Sequence, residues 1–525
     1  MKKILILLIT VLLSAQVFSQ DVSWNTNREK VPDQPVKEFQ FLAYFFNRNV
    51  VENYYAKNDL LKGQVVGRLF SFNTTTTGEQ AMYSEQRLIP FFIYQPKLLD
   101  GKALLRASFE IDWTWGDANY GTGGNFGSAF AADQVNIQTQ NVELEFLPGK
   151  AWTINLGLQR LFDTPYNPYR TFLTTMLSTS YGLMMWGSDA VGISIRKDFN
   201  YSRFQGGFYQ LYENNIQQPD DVTLWDIMYE QDITPEWRQG FSLHYVYDRG
   251  NGEGGVSVLG EGLNSLLDNY NGTYKFTELE GKPYKADLFW LGTYGNYNPE
   301  YLTGRFSLNA FAWANLGEVR KDISGEYKHA SQINGIASNL RTGYRYGQTP
   351  EDKVEMNVIF TTGDKDAANL QNTSERDDKY TGVLTGNMWT APGALNINTG
   401  AYILYPNGNV VNRYIAAVSD ISNMGLGQIG GTVNIYHSFI PHKLFAKIGV
   451  AAANSIFNPN DGKKFIGWEL NGKISYQPAV YMNIELHAAY MWLGGFYNSP
   501  DVNGNVTVKP KNPYTIFTVF KWLMF

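Results

Sequence analysis

The sequence predicts an all-β fold, a transmembrane antiparallel up-and-down β-barrel of about 16 or 18 strands with short periplasmic turns and long extracellular loops. Three observations lead there. Aromatic residues make up 15% of the 525 positions, as 13 Trp, 34 Tyr and 32 Phe, beside 50 Gly, no Cys and only 18% charged residues. Apolar and polar side chains alternate with a period of two along segments of roughly 9–13 residues, the length a tilted strand needs to cross a bilayer, where soluble strands average about 5–6. An export signal opens the chain. The composition excludes a disulfide-stapled miniprotein, a Cys-ligated metal centre, a coiled coil and a disordered charged tail. Mean hydropathy is −0.29, and beyond the first twenty residues no apolar run reaches the about eighteen residues that a membrane-crossing helix needs.

The N-terminus predicts the compartment. Lys2 and Lys3 form a basic start, Ile4 to Leu13 an apolar stretch, and Val17 and Ser19 the small-residue pattern of a signal-peptide cleavage site after Ser19. No Cys follows, which excludes a lipid-anchored protein, and the bacterial outer membrane is the expected location. Taking the two lysines of residues 1–19 from a net charge of −6 leaves −8, with no basic cluster of the kind nucleic acid requires. The expected organisation is a signal peptide at 1–19, a partly periplasmic or barrel-closing segment at 20–60, and the barrel itself at 61–525.

Each wall segment has one apolar and one polar face. Leu105, Ala107, Phe109, Ile111 and Trp113 oppose Arg106, Ser108, Glu110, Asp112 and Thr114. Val142, Leu144 and Phe146 oppose Glu143 and Glu145, and Trp152, Ile154, Leu156 and Leu158 oppose Thr153, Asn155 and Gln159. Phe241, Leu243, Tyr245 and Tyr247 oppose Ser242 and His244, and Val354, Met356, Val358 and Phe360 oppose Glu355, Asn357 and Thr361. Further on, Ile466, Trp468, Leu470, Ile474 and Tyr476 oppose Glu469, Asn471, Lys473, Ser475 and Gln477, and Ile484, Leu486, Ala488, Tyr490 and Trp492 oppose Glu485 and His487. Aromatic pairs at segment ends, such as Trp113 and Trp115, Tyr344 and Tyr346, or Tyr490 and Trp492, suit the girdles at both membrane interfaces. Short connections at 147–150, 198–202, 234–236 and 349–352 contrast with long ones at 114–137, 248–286, 361–380 and 496–512. Less regular stretches at 62–72, 172–186 and 395–405 are places where further strands would hide, and the final run ending at Phe525 has the aromatic terminus of an outer-membrane strand. At roughly 25–30 residues per strand with its loop, the chain suits a barrel wide enough to leave a lumen for solute.

Four stretches resemble the alginate-export-like outer-membrane porins: TGRFSLNAFAW at 303–313, INGIASNLRTGYRYG at 333–347, VEMNVIFTTGDKD at 354–366, and GWELNGKISYQPAVYMNIELHAAYMWLGGFY at 467–497. The resemblance covers about residues 300–525 and implies a large barrel whose loops fold over a charged lumen that passes an anionic polysaccharide or smaller solutes. In that family the polymer pathway is rich in arginine. Parity here places Arg68, Arg106, Arg196, Arg341, Arg345, Lys447 and Lys473 inward, together with Glu110 and Glu469, so the lining is mixed in charge. Arg341 and Arg345, four residues apart on one face, form the sharpest pair for anionic groups.

Two loops stand out. Val258, Leu259, Leu263, Leu266 and Leu267 have helical spacing, and Asp364, Asp366, Glu375, Asp377 and Asp378 supply oxygen ligands of the kind calcium takes, in no EF-hand spacing. No nucleophile motif accompanies the five His residues, so no enzyme and no cofactor is expected. The expected role is a channel for hydrophilic solutes, possible substrates including saccharides or anionic polysaccharide. The alternatives are a docking subunit of an outer-membrane assembly with a plugged lumen, partnered through the long loops, and an outer-membrane hydrolase.

Overall fold

Strand-length alternation with polar residues on one face and apolar ones on the other demands a closed sheet, since an open edge in hydrocarbon leaves backbone groups unpaired. The computed structural model describes residues 37–56, 65–70, 74–115, 136–161, 163–165, 181, 189–213, 215–252, 274, 276, 279, 283–299, 301–349, 351–368, 377–384, 400–405, 413–503 and 510–524. Eighteen antiparallel strands form the closed wall. They are β1 (Phe39–Ala56), β2 (Thr74–Tyr94), β3 (Ala103–Trp115), β4 (Asn136–Gly149), β5 (Trp152–Arg160), β6 (Asp189–Asp198), β7 (Ser202–Tyr212), β8 (Val222–Asp232) and β9 (Trp237–Asp248). The second half comprises β10 (Tyr284–Tyr297), β11 (Phe306–Ile323), β12 (Glu326–Arg345), β13 (Lys353–Thr361), β14 (Gln428–Ile440), β15 (Leu444–Ser455), β16 (Phe465–Ala479), β17 (Met482–Leu493) and β18 (Tyr514–Met524). Each pairs with its neighbour in sequence, and β18 returns to β1 in an unbroken register from Ala43↔Met524 to Glu52↔Thr515.

The strand β1 settles the open boundary of the N-terminal segment: residues 39–56 are a full wall strand that closes the barrel, so the wall begins at 39 rather than 61. Residues 1–36, with the proposed signal peptide, lie outside the described residues. The irregular stretch at 62–72 holds Val65–Arg68, which joins no wall strand but pairs in parallel with Arg413–Ala416 as a separate two-stranded sheet. Of the stretch 395–405, residues 400–405 fold inside the barrel instead of joining its wall.

The pleat sorts the side chains as the alternation requires, with large apolar residues outward. Leu105, Val142, Leu144, Ile193, Trp225, Leu243, Ile448, Leu470 and Leu486 are exposed, whereas Arg106, Glu143, Ser194, Asp226, His244, Lys447, Glu469 and Glu485 on the opposite faces are buried. Some large apolar wall residues point inward, among them Trp290 and Trp313, and Ile466 joins them against its expected outward placement. A bulge between Ala453↔Gly467 and Asn454↔Phe465 turns it inward, where it is fully buried rather than facing lipid. Aromatics gather near strand ends, with Trp468 stacked on Trp492 at 3.9 Å and Tyr490 edge-on to Trp492 at 4.6 Å.

One end of the barrel has tight connections. Lys150 and Ala151, both with positive φ, turn β4 into β5, and residues 199–201, 233–236, 441–443 and 480–481 join other pairs. The other end carries the long connections, including the 66 residues from 362 to 427 between β13 and β14. The hairpin β11–β12 is unusual at that end, because Ser324 and Gly325, with φ of 60° and 89°, connect it in two residues.

A charge placed on the outward face tests this sidedness. Leu486→Arg, near the middle of β17, is expected to lower unfolding stability in lipid by about 2–4 kcal/mol, measured by denaturant titration from bilayers.

Candidate functional site

The lumen is built from inward polar residues and from long-connection segments folded back onto them. On the wall, most cations are matched locally. Arg106 lies 2.7 Å from Glu143 and 3.1 Å from Glu145, and Arg87 lies 2.5 Å from Glu110. Arg196 lies 3.3 Å from Asp198, which also takes Arg203 at 3.1 Å. All but Arg196–Asp198, which lies within β6, span neighbouring strands, and together they leave little net field along that side.

Between β12 and β18 the lining changes character. Successive cross-strand partners Arg345↔Lys353↔Tyr436↔Lys447↔Lys473↔His487↔Phe517 form one level row across seven strands. Arg341 lies two repeats of the pleat away, 3.0 Å from Glu355, and Lys353 shares that carboxylate at 2.8 Å. Lys473, Lys521 and His487 converge on Glu485 at 3.3, 3.1 and 2.9 Å. Arg345 differs from its expected companion: its guanidinium meets the Tyr301 carbonyl at 3.3 Å and the Tyr301 ring, and it has no carboxylate partner among the described residues.

Three expected lining residues have other surroundings. Arg68 belongs to the small parallel sheet, not the wall; burial pulls its guanidinium down to about 10, offset in part by Tyr497. Lys447 donates to the Gly400 carbonyl and lies 4.4 Å from the centre of the Tyr402 ring. Glu469 is fully covered: its carboxylate accepts the backbone N–H groups of Tyr402, Ile403 and Leu404 at 2.8, 2.9 and 2.7 Å, and the Asn471 amide at 2.8 Å.

Those contacts hold a plug. Residues 401–405 and 416–418 are buried together, with Ala417 N–H donating to the Ile403 carbonyl and Val418 N–H to that of Leu404. Leu69 N–H in turn donates to the Ala416 carbonyl. On the opposite wall Trp290 donates to the Leu384 carbonyl at 2.9 Å, and Asn315 accepts the Leu384 N–H at 3.0 Å. Tyr380 stacks on Tyr274 at 4.1 Å, and Thr361 donates to the Ile421 carbonyl at 2.7 Å. Gly430 makes room for the plug, since a Cβ there would overlap the Tyr405 hydroxyl. Sequence reasoning missed this body. The stretch 395–405, which contains Ala401–Tyr405, was among the places expected to hide a further wall strand.

Of the notable loops, residues 253–273 lie outside the described residues. In the acidic loop, Asp364 accepts the N–H groups of Asp366 and Thr381 at 2.7 and 2.8 Å and thus staples the chain; Glu375 lies outside the described residues, among which no group of three acidic or His side chains is placed to hold a metal ion. The hydrolase alternative finds Ser475 beside the carboxylate of Glu485 at 3.5 Å and bonded to Asn483, while His487 takes the other oxygen. Such a serine has no imidazole to receive its proton.

Asp420 ties the plug to proton concentration. Burial pushes its carboxyl up to about 6 from the ordinary 3.8, against the Ser422 hydroxyl and N–H that hydrogen-bond it. The folded segment therefore holds the proton more tightly than the unfolded one, so its stability is full below 3.8 and declines as pH rises to about 6. Hydrogen exchange over residues 415–427, corrected for intrinsic rates, should show protection falling across that window, and Asp420→Asn should flatten the dependence.

No family model matches the chain, and no curated protein does, so the resemblance of residues 300–525 to alginate-export-like porins gains no support from either. Solved structures are similar to it at low identity. Pseudomonas aeruginosa OccK11 (OpdR) is 11% identical, with 92% of this chain and 96% of that one covered at a TM-score of 0.43. A BenF-like porin from Pseudomonas fluorescens Pf-5 is 10% identical, covering 92% and 98% at 0.46, and Pseudomonas aeruginosa OprD is 9% identical, covering 94% and 97% at 0.45.

Proposed function

We propose that this chain is a bacterial outer-membrane channel that passes small hydrophilic solutes, anions in preference, beside a plug folded into its lumen. One observation carries the reading: a level row of cations, Arg345, Lys353, Lys447 and Lys473, lies on the inner face of a barrel whose outer face is apolar. Such a row attracts anions into a low-dielectric passage, where field lines are focused. Residues 1–19 serve as the export signal, and the short-turn end faces the periplasm. Saccharides and anionic polysaccharide fall within this reading as larger solutes.

Planar-bilayer recording of the purified protein tests it. Discrete conductance steps with an anion-shifted reversal potential are the expected result, and a bilayer that stays closed at all voltages would reject the channel. Because Arg345 lacks a carboxylate partner among the described residues and Arg341 has Glu355, Arg345→Ser should reduce anion selectivity more than Arg341→Ser. Equal selectivity in both variants and the parent would remove the row from the mechanism.

A second reading, a docking scaffold with a permanently filled lumen, is favoured by the completeness of plug burial: Ile403, Leu404 and Tyr405 have no exposed surface. A closed bilayer together with a stoichiometric partner retained in mild detergent is its signature.

A further inference from the structure

We infer that Glu469 is the positioning residue that seats the plug, and that loss of its carboxylate releases the segment 400–405 from the wall. Three consecutive backbone N–H groups, those of Tyr402, Ile403 and Leu404, converge on this one carboxylate at 2.7–2.9 Å. Hydrogen bonds from N–H to a charged oxygen are about twice as strong as neutral ones, and in a water-poor site their number decides the geometry. Asn471 fixes the carboxylate by donating to the oxygen that also takes Tyr402. Glu469 is thus an internal anion held in a cradle of backbone donors, one that lies on the plug while the anion lies on the wall.

The grip extends beyond six residues. The same segment, through the carbonyls of Ile403 and Leu404, holds Ala417 and Val418, and Ala416 holds Leu69. Release at Glu469 therefore loosens the rest of its own connection, at 416–418, and through it the β1–β2 connection that holds Leu69. Lys447 of the neighbouring strand donates to the Gly400 carbonyl and the Tyr402 hydroxyl, and so holds one backbone group of the segment where Glu469 holds three.

The absence of cysteine makes the test direct. Ile403→Cys introduces one thiol at a fully buried site of the plug. In the full-length protein, folded in detergent and checked by heat-modifiable migration, the thiol should react slowly with a water-soluble maleimide. Adding Glu469→Gln, which keeps the shape but removes the charge, should accelerate labelling by about tenfold or more, the ratio expected when a charge-assisted hydrogen bond is lost. In the Glu469→Ala background, sodium formate should slow labelling again by supplying a carboxylate to the vacated donors, while sodium chloride at equal ionic strength should not. Unchanged labelling in folded Glu469→Gln, or acceleration that formate fails to reverse, would overturn the proposal. If neither variant yields a folded barrel, Glu469→Asp, which retains the charge on a shorter arm, carries the same labelling test: faster labelling supports the seat, and parent-like labelling overturns it. The effect on current rests on the channel reading, whereas labelling does not. Faster labelling with a bilayer that stays closed would sink the channel and keep the seat.

Discussion

The sheet closes on itself because an edge in hydrocarbon has no partner for its amides and carbonyls, and each lost pair there costs several kcal/mol. That requirement is met by β1 against β18, and all else in the molecule follows from it. Closure fixes an inside and an outside, and the pleat then assigns each residue of a strand to one of them by parity alone. The usual partition is inverted: apolar side chains face outward to lipid and the charges go to the interior. Within it, inward apolar side chains of the wall such as Trp290, Phe311 and Trp313 share one buried cluster with Ile403 and Leu404 of the long connections.

Charge in that interior is organised rather than merely tolerated. Around β2 to β7 Arg87, Arg106, Arg196 and Arg203 lie against carboxylates of their own or a neighbouring strand, an arrangement that stiffens the barrel and offsets their charge. From β12 to β16 cations outnumber the anions at their level, and the plug rests on the same stretch of wall through Lys447 and Glu469. That excess of cations therefore lies beside the body that fills the lumen. Positive charge and obstruction are placed together.

Much of the wall was legible because period two is a direct image of a two-sided sheet, and strands such as β4, β5, β9 and β13 match their alternation residue by residue. The strand β1 was not. Its outward positions Asn47 and Asn49 are amides, bonded to one another and to Thr518 and Ser84 of the flanking strands, while Phe46 and Val50 point inward, so its hydropathy alternation is scrambled at the seam. Parity also sufficed to put Arg341, Arg345 and Lys473 on the inner face. It did not reveal that Glu469 is covered or that Arg341 is matched and Arg345 is not, because those facts depend on register between strands and on where a loop lies. Parity misassigned Arg68, which sits in a strand that never enters the wall.

The parallel pairing of Val65–Arg68 with Arg413–Ala416 joins the first long connection to the sixth, across most of the chain's length. Contacts of such sequence separation carry the largest loop-closure entropy and form late. Twelve wall strands, β2 to β13, lie between the two partners along the chain. The plug is therefore drawn together from two connections that the wall alone brings within reach of one another.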